Sequence, residues 1–400
     1  MINNQSKMIL VTGLARSGTT LLSECLDHHP KLMCIADPMN EFFKGFMRYA
    51  YLKVEGERKS VGYPIDNFFF SGSQKVNAFI DSKDLNHPIP EYLKTEILER
   101  IAERDGEYCP EIIEPVKLCK ATNFEDLFIE ILQLLFDTYG DPGTECYGVK
   151  TAWCEQLLKP LSRSFPNMSF VNIVRDPRAV IASNYQADGS RFPLFLNIRD
   201  WRKSVYYNWK YQFDDAELKD RFIGVRYEDL VAQPEQVLKA VTDMIGVAYS
   251  EEMTGKGFKK PNSSYQVESN TTGISKGSKD KWKVVLPQGV ILQTEVYCGR
   301  EMKLLNYPNA FPEIAYDADS LLALEDIRFE SMSGWCQDLV QGKEYYEGVW
   351  KKNNVYLEMI RLNLLNDTLE NNNPGMLTAF FYQQNYYQWL RSANEMQPGQ

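Results

Sequence analysis

Gly13-Leu-Ala-Arg-Ser-Gly18-Thr19-Thr20 sets two glycines around a four-residue loop and follows them with two hydroxyl side chains. This is the spacing of a phosphate-binding loop, G-x-x-x-x-G-K-[ST], with Thr19 standing where the lysine belongs. Backbone N–H groups of such a loop and of the helix it opens can cradle a phosphate. The hydroxyls of Ser17, Thr19 and Thr20 add donors, and the positive charge has moved inside the loop, to Arg16. Hydrolysis of a magnesium nucleotide calls for the lysine and a metal-holding acid. A loop built from Arg16 and hydroxyls suits a metal-free anhydride. A strand–helix turn that binds nothing would carry the same glycines.

A second constellation begins at Arg175, directly after the apolar run Ser169–Val174. An arginine there sits at the carboxyl end of a strand, where open α/β sheets bind ligands. Ser183 follows eight residues later, about two helical turns on. An arginine and a serine so placed can hold one phosphate through charge-assisted hydrogen bonds. Two separate grips on one sheet imply a ligand with phosphates at two ends.

The elements that must position these groups alternate. Met8–Thr12, Leu32–Ala36, Cys146–Lys150, Ser169–Val174 and Arg221–Tyr227 read as strands. Thr19–Asp27, Gln156–Phe165, Pro177–Tyr185 and Pro234–Ile245 read as helices, the first with Leu22, Cys25 and Leu26 on one face. Such alternation predicts a P-loop-like α/β fold with a parallel sheet flanked by helices. Residues 44–141 form an insertion, aromatic around Phe68–Phe70 and helical over Glu125–Phe136, that serves either as structure or as a lid and acceptor region. Tyr265–Lys281 reads as a mobile loop. From Pro308 the pattern becomes amphipathic helices, a C-terminal extension over 308–400 beyond a main unit of 1–307.

Among 400 residues, 44% are hydrophobic and the net charge is −10, a globular composition poorly matched to nucleic acid. The cysteines (25, 34, 109, 119, 146, 154, 298, 336) and histidines (28, 29, 87) show no metal-ligand spacing and no disulfide framework. No signal peptide and no membrane-spanning run are evident, so a cytoplasmic protein is expected.

With both phosphate motifs in view, the chain resembles the sulfotransferases that use 3'-phosphoadenosine-5'-phosphosulfate (PAPS). It is most similar to the bacterial sulfotransferase family 3 and tyrosylprotein sulfotransferase branch. The resemblance rests on Gly13–Leu21, His29-Pro30, Val174–Ser183 and Arg226-Tyr-Glu-Asp-Leu-Val231 followed by Pro234-Glu, with a looser match at Ser278-x-x-Lys281-Trp282. It implies that Arg16, Ser17, Gly18, Thr19 and Thr20 hold the 5'-phosphosulfate, and that Arg175 and Ser183 hold the 3'-phosphate. By the same resemblance Ser278 and Lys281 close over the donor, and Lys150 steadies the transferring sulfuryl group. Asp37 falls where the tyrosylprotein branch carries its carboxylate base, and Glu41 is its rival. Tyr227 either contacts the adenosine or belongs to the core. Ala187 departs from the family, which has a basic residue there; Arg178 or Arg191 could replace it. The expected activity is metal-free sulfuryl transfer from PAPS, leaving 3'-phosphoadenosine-5'-phosphate (PAP), onto a hydroxyl or amine of a small molecule. An ATP-using kinase-like enzyme and a non-catalytic nucleotide-binding module are the alternatives.

Overall fold

The computed structural model describes residues 1–56, 74–186, 192–255, 274, 279–312, 316–369 and 374–393. Five short apolar segments pair as β1 (Met8–Gly13), β2 (Leu32–Ala36), β3 (Cys146–Lys150), β4 (Met168–Val174) and β5 (Phe222–Arg226). They make one parallel sheet in the order β2-β3-β1-β4-β5. Every residue of β1 and β4 is buried, as a sheet covered on both faces requires. Alternate side chains serve opposite faces: Met8 and Leu10 join one core cluster, Ile9 and Val11 the other.

The strand order has a direct consequence for chemistry. All five strands run the same way, so their carboxyl ends share one edge. Along that edge lie, in spatial order, the residues following β2, the end of β3, the loop after β1, the residues following β4, and the residue following β5. These are Asp37, Lys150, the Gly13–Gly18 loop, Arg175 and Tyr227. The expected parallel α/β sheet is therefore observed, and it gathers residues more than two hundred positions apart.

Helix α1 (Thr19–Asp27) buries Leu22, Cys25 and Leu26 as its periodicity predicts. The inserted region 44–141 begins within α2 (Asn40–Glu55) and continues through helices Glu91–Glu103 and Phe124–Tyr139. Asn123 caps the last of these by accepting from the Asp126 N–H at 2.7 Å. Phe46 and Phe124 meet edge to face at 5.0 Å, the geometry that aromatic quadrupoles favour. The expected aromatic run Phe68–Phe70 lies outside the described residues.

The C-terminal helices share the main apolar core, to which Leu321, Val355, Leu364 and Phe381 belong. Helix Lys351–Leu365 sends Glu358 against Arg202 of helix Leu194–Trp209, in a two-pronged pair at 2.6 and 2.7 Å. Burial alone would push the Glu358 carboxyl up, but Arg202, with Arg199 and Arg361, holds it below its ordinary value. Arg361 pairs with Glu301 beside it, and Tyr382 stacks on Tyr206 at 4.0 Å.

Candidate functional site

The loop after β1 needs its glycines for space as well as for conformation. Gly13 has φ +144°, and a Cβ there would fall 2.4 Å from the Ile173 carbonyl oxygen of β4. Gly18 has φ +99°, and its Cβ would fall 2.4 Å from the Tyr227 ring. Between them Arg16 adopts φ 70°, a left-handed conformation that costs a non-glycine residue energy. Asp37 (φ 59°) and Trp153 (φ 60°) do the same. Such strain collects where surrounding structure holds a functional geometry in place.

The loop after β1 and the segment after β4 meet across the β1–β4 pairing. Arg16 donates from Nε to Ser183 Oγ at 3.2 Å, and Arg175 donates from Nη1 to the Arg16 carbonyl at 2.9 Å. The Arg175 guanidinium also lies 4.3 Å from the Tyr227 ring centroid. Arg16, Gly18, Arg175, Ser183 and Tyr227 thus form one cluster, although Arg175 follows Arg16 by 159 positions. Tyr227 opens a short helix, Tyr227–Ala232, one position beyond the strand in which the sequence suggests it. Ser17 is almost fully buried, and its hydroxyl has no hydrogen-bond partner among the described residues. Thr19 is buried at the start of α1, and the Thr20 carbonyl accepts from Ser23 Oγ.

On the other side of β1, Lys150 ends β3 and its ammonium donates to the Asp37 carboxylate. The Asp37 N–H extends the β2–β3 ladder by donating to the Lys150 carbonyl at 2.7 Å. Both residues are buried. Glu41 is otherwise engaged. It is completely buried in the first turn of α2, and its carboxylate accepts from Lys44 at 2.8 Å, Arg48 at 3.3 Å and Arg104 at 3.5 Å. Burial raises its pKa, and these three cations more than reverse that. Glu41 therefore belongs to a closed ion cluster.

Two residues of the insertion reach this side of the site with no motif to announce them. Asp105 accepts from the Glu41 N–H at 3.0 Å and so caps α2 from a segment 64 positions away. Burial pushes its carboxyl up to about 8, against the pull of that N–H and with the charges of Glu41 and Asp37 adding to the rise. Tyr108 closes the same turn, its N–H donating to the Asp105 carbonyl. Burial raises the Tyr108 phenol, Asp37 raises it further and Arg16 lowers it. The inserted turn thus lies within electrostatic range of both halves of the site.

Arg178, one candidate for the basic residue absent at Ala187, is engaged within the protein. Its buried guanidinium is held by Asp176 at 2.6 Å and Glu295 at 2.5 Å, with Trp282 stacked 4.0 Å away. Lys281 directly precedes Trp282, so the late segment docks on the arm that carries Arg175. Ser278, Ala187 and Arg191 lie outside the described residues. His29 is structural: Nε2 pairs with the Ala248 carbonyl at 2.7 Å and Nδ1 accepts from the Lys31 N–H. His87 stacks on Tyr49 and faces Asp84 at 3.6 Å. Among the described residues, no helix is long and apolar enough to cross a membrane.

Comparison with known proteins bears on this site. The model of the sulfotransferase family matches residues 8–251, more than half of the chain. A putative protein-tyrosine sulfotransferase of Caenorhabditis briggsae is 21% identical over 258 residues, covering 63% of this chain and 70% of that protein. The omega-hydroxy-beta-dihydromenaquinone-9 sulfotransferase Stf3 of Mycobacterium bovis is 27% identical over 262 residues, covering 60% of this chain and 62% of that protein. The chain thus spans less than two thirds of the mycobacterial relative's length. A solved sulfotransferase domain from the curacin biosynthetic pathway overlays 76% of this chain and 98% of its own, at 18% identity and a TM-score of 0.45.

Proposed function

Because the chain belongs to the sulfotransferase family, we propose that it moves a sulfuryl group from PAPS to a hydroxyl or amine of a small-molecule acceptor, without a metal. The observation that carries this reading is the Asp37–Lys150 pair, set one strand away from a phosphate loop whose lysine is Thr19. The donor's two ends have matching partners. Arg16, the Ser17 hydroxyl and the N–H groups from Gly18 to Thr20 would hold the 5'-phosphosulfate. Arg175 and Ser183 would hold the 3'-phosphate. The fit is supported by the buried Ser17 hydroxyl, which has no hydrogen-bond partner among the described residues. Lys281 and Ser278 would complete the donor side.

Bound PAPS supplies the sulfuryl group and leaves as PAP. Asp37 takes the proton from the acceptor as it attacks, which is general-base catalysis. Lys150 orients the Asp37 carboxylate and presents its ammonium where negative charge grows on the transferring oxygens. Arg16 does the same on the leaving side. Glu41 has no free carboxylate oxygen for this task, which favours Asp37. The protein-tyrosine and hydroxy-menaquinone names of the relatives leave the acceptor class open between peptide and small molecule. We infer a small, cationic or amphipathic acceptor from the net charge of −10 and the aromatic content.

Ligand that binds only the native state raises its melting temperature by mass action. PAP at saturating concentration is expected to raise the midpoint of thermal unfolding well above the shift given by ATP with Mg²⁺. Equal shifts, or none with PAP, would remove the donor assignment.

A further inference from the structure

The peptide bond joining Arg175 to Asp176 is held from both sides by buried side chains. Trp201, 1% exposed on helix Leu194–Trp209, donates from Nε1 to the Arg175 carbonyl at 2.7 Å. Glu228, on the short helix after β5, accepts from the Asp176 N–H with Oε1 at 3.1 Å. The second oxygen of Glu228 accepts from the Tyr307 hydroxyl at 2.9 Å, so the carboxylate cannot swing away. Pro177 follows and narrows the backbone of Asp176 further. A peptide plane pinned at its C=O and its N–H cannot rotate, and that plane sets the direction in which the Arg175 side chain leaves the backbone. Trp201 is itself braced, since its neighbour Arg202 carries the buried pair with Glu358 of the C-terminal extension.

We propose that Trp201 and Glu228 are positioning residues for the donor nucleotide: by fixing the Arg175–Asp176 peptide, they aim Arg175 at the 3'-phosphate. The inference rests on the donor site proposed above. It gives the glutamate of the Arg226-Tyr-Glu-Asp-Leu motif a task, and it gives the C-terminal helices an indirect part in nucleotide binding. A merely structural role would weaken all ligands alike. An aiming role weakens only ligands that carry a 3'-phosphate.

The test is Trp201→Phe, which keeps a buried ring and removes the N–H. Dissociation constants for PAP and for adenosine 5'-phosphosulfate, which lacks the 3'-phosphate, are measured by calorimetry alongside amide exchange over residues 174–186. Loss of a hydrogen bond that aims a charged contact is expected to weaken PAP about tenfold and to leave adenosine 5'-phosphosulfate within about twofold. Exchange over 174–186 should quicken. Equal weakening of both ligands, or no weakening of either, overturns the proposal. If the unaltered protein does not bind PAP, the donor reading fails and exchange alone decides the pinned peptide: unchanged exchange overturns it. Should Trp201→Phe not fold, Glu228→Met removes the opposite pin and is expected to give the same selective loss.

Discussion

Asp37→Asn is expected to lower turnover by about 10²–10⁴ while leaving PAP affinity nearly unchanged, the loss typical of a missing general base. Asparagine keeps the size of the side chain but cannot take the acceptor proton. Asp37 lies one strand beyond Lys150, on the side of β1 away from Arg175, so its loss should not reach the nucleotide. Glu41→Gln is the control. Its carboxylate is enclosed by Lys44, Arg48 and Arg104, so this change should cost stability and not remove the base. Steady-state rates with both variants, corrected for the folded fraction, distinguish the two acids. Full activity in Asp37→Asn with none in folded Glu41→Gln would make Glu41 the base.

The second large effect is on stability. Glu358→Gln leaves the buried Arg202 guanidinium without its charge partner. Breaking a buried pair from one side costs about 3–5 kcal/mol, against a total of roughly 5–15 kcal/mol for a domain. The urea midpoint should fall accordingly. The pH dependence follows from the lowered carboxyl pKa of Glu358. Its stabilisation is present above the unfolded value, which is near 4.5. It is lost as pH falls through the still lower folded value. The gap between the two proteins should therefore be full at pH 7 and narrow in acid below about 4. Replacing both partners, Arg202→Met with Glu358→Leu, should recover much of the loss. A midpoint unchanged in Glu358→Gln would show that the extension does not brace the sheet.

The sheet was legible because its strands are continuous apolar runs punctuated by glycine, and because α1 shows a clean helical face. The strand-end placement of the Gly13–Gly18 loop and of Arg175 was legible for the same reason: each motif is local and follows an apolar strand. The difference in surroundings between Asp37 and Glu41 is not local. It depends on Arg104 and on Asp105, which reach α2 from the inserted region. Asp105 and Tyr108 carry no sequence signal, since a turn that docks on a distant helix leaves no periodicity. Trp201 was hidden differently. Every residue of helix Leu194–Trp209 is buried, so nothing in its pattern singles out Trp201, which donates to the Arg175 carbonyl. The C-terminal helices read as an appendage because their buried charges, Glu358 and Arg361, look like surface residues until Arg202 and Glu301 are placed against them.

The most direct measurement follows the sulfuryl group itself. The purified protein is incubated with PAPS labelled in its sulfuryl sulfur, in EDTA, with a panel of small alcohols, phenols and amines beside a tyrosine-containing peptide. PAP and labelled product are separated and counted. Sulfuryl transfer is expected to release PAP and label one of the small acceptors in equal amounts, to proceed without divalent metal, and to collapse in Asp37→Asn. PAP release that no acceptor accelerates, or turnover of ATP that EDTA abolishes and Mg²⁺ restores, would contradict the assignment.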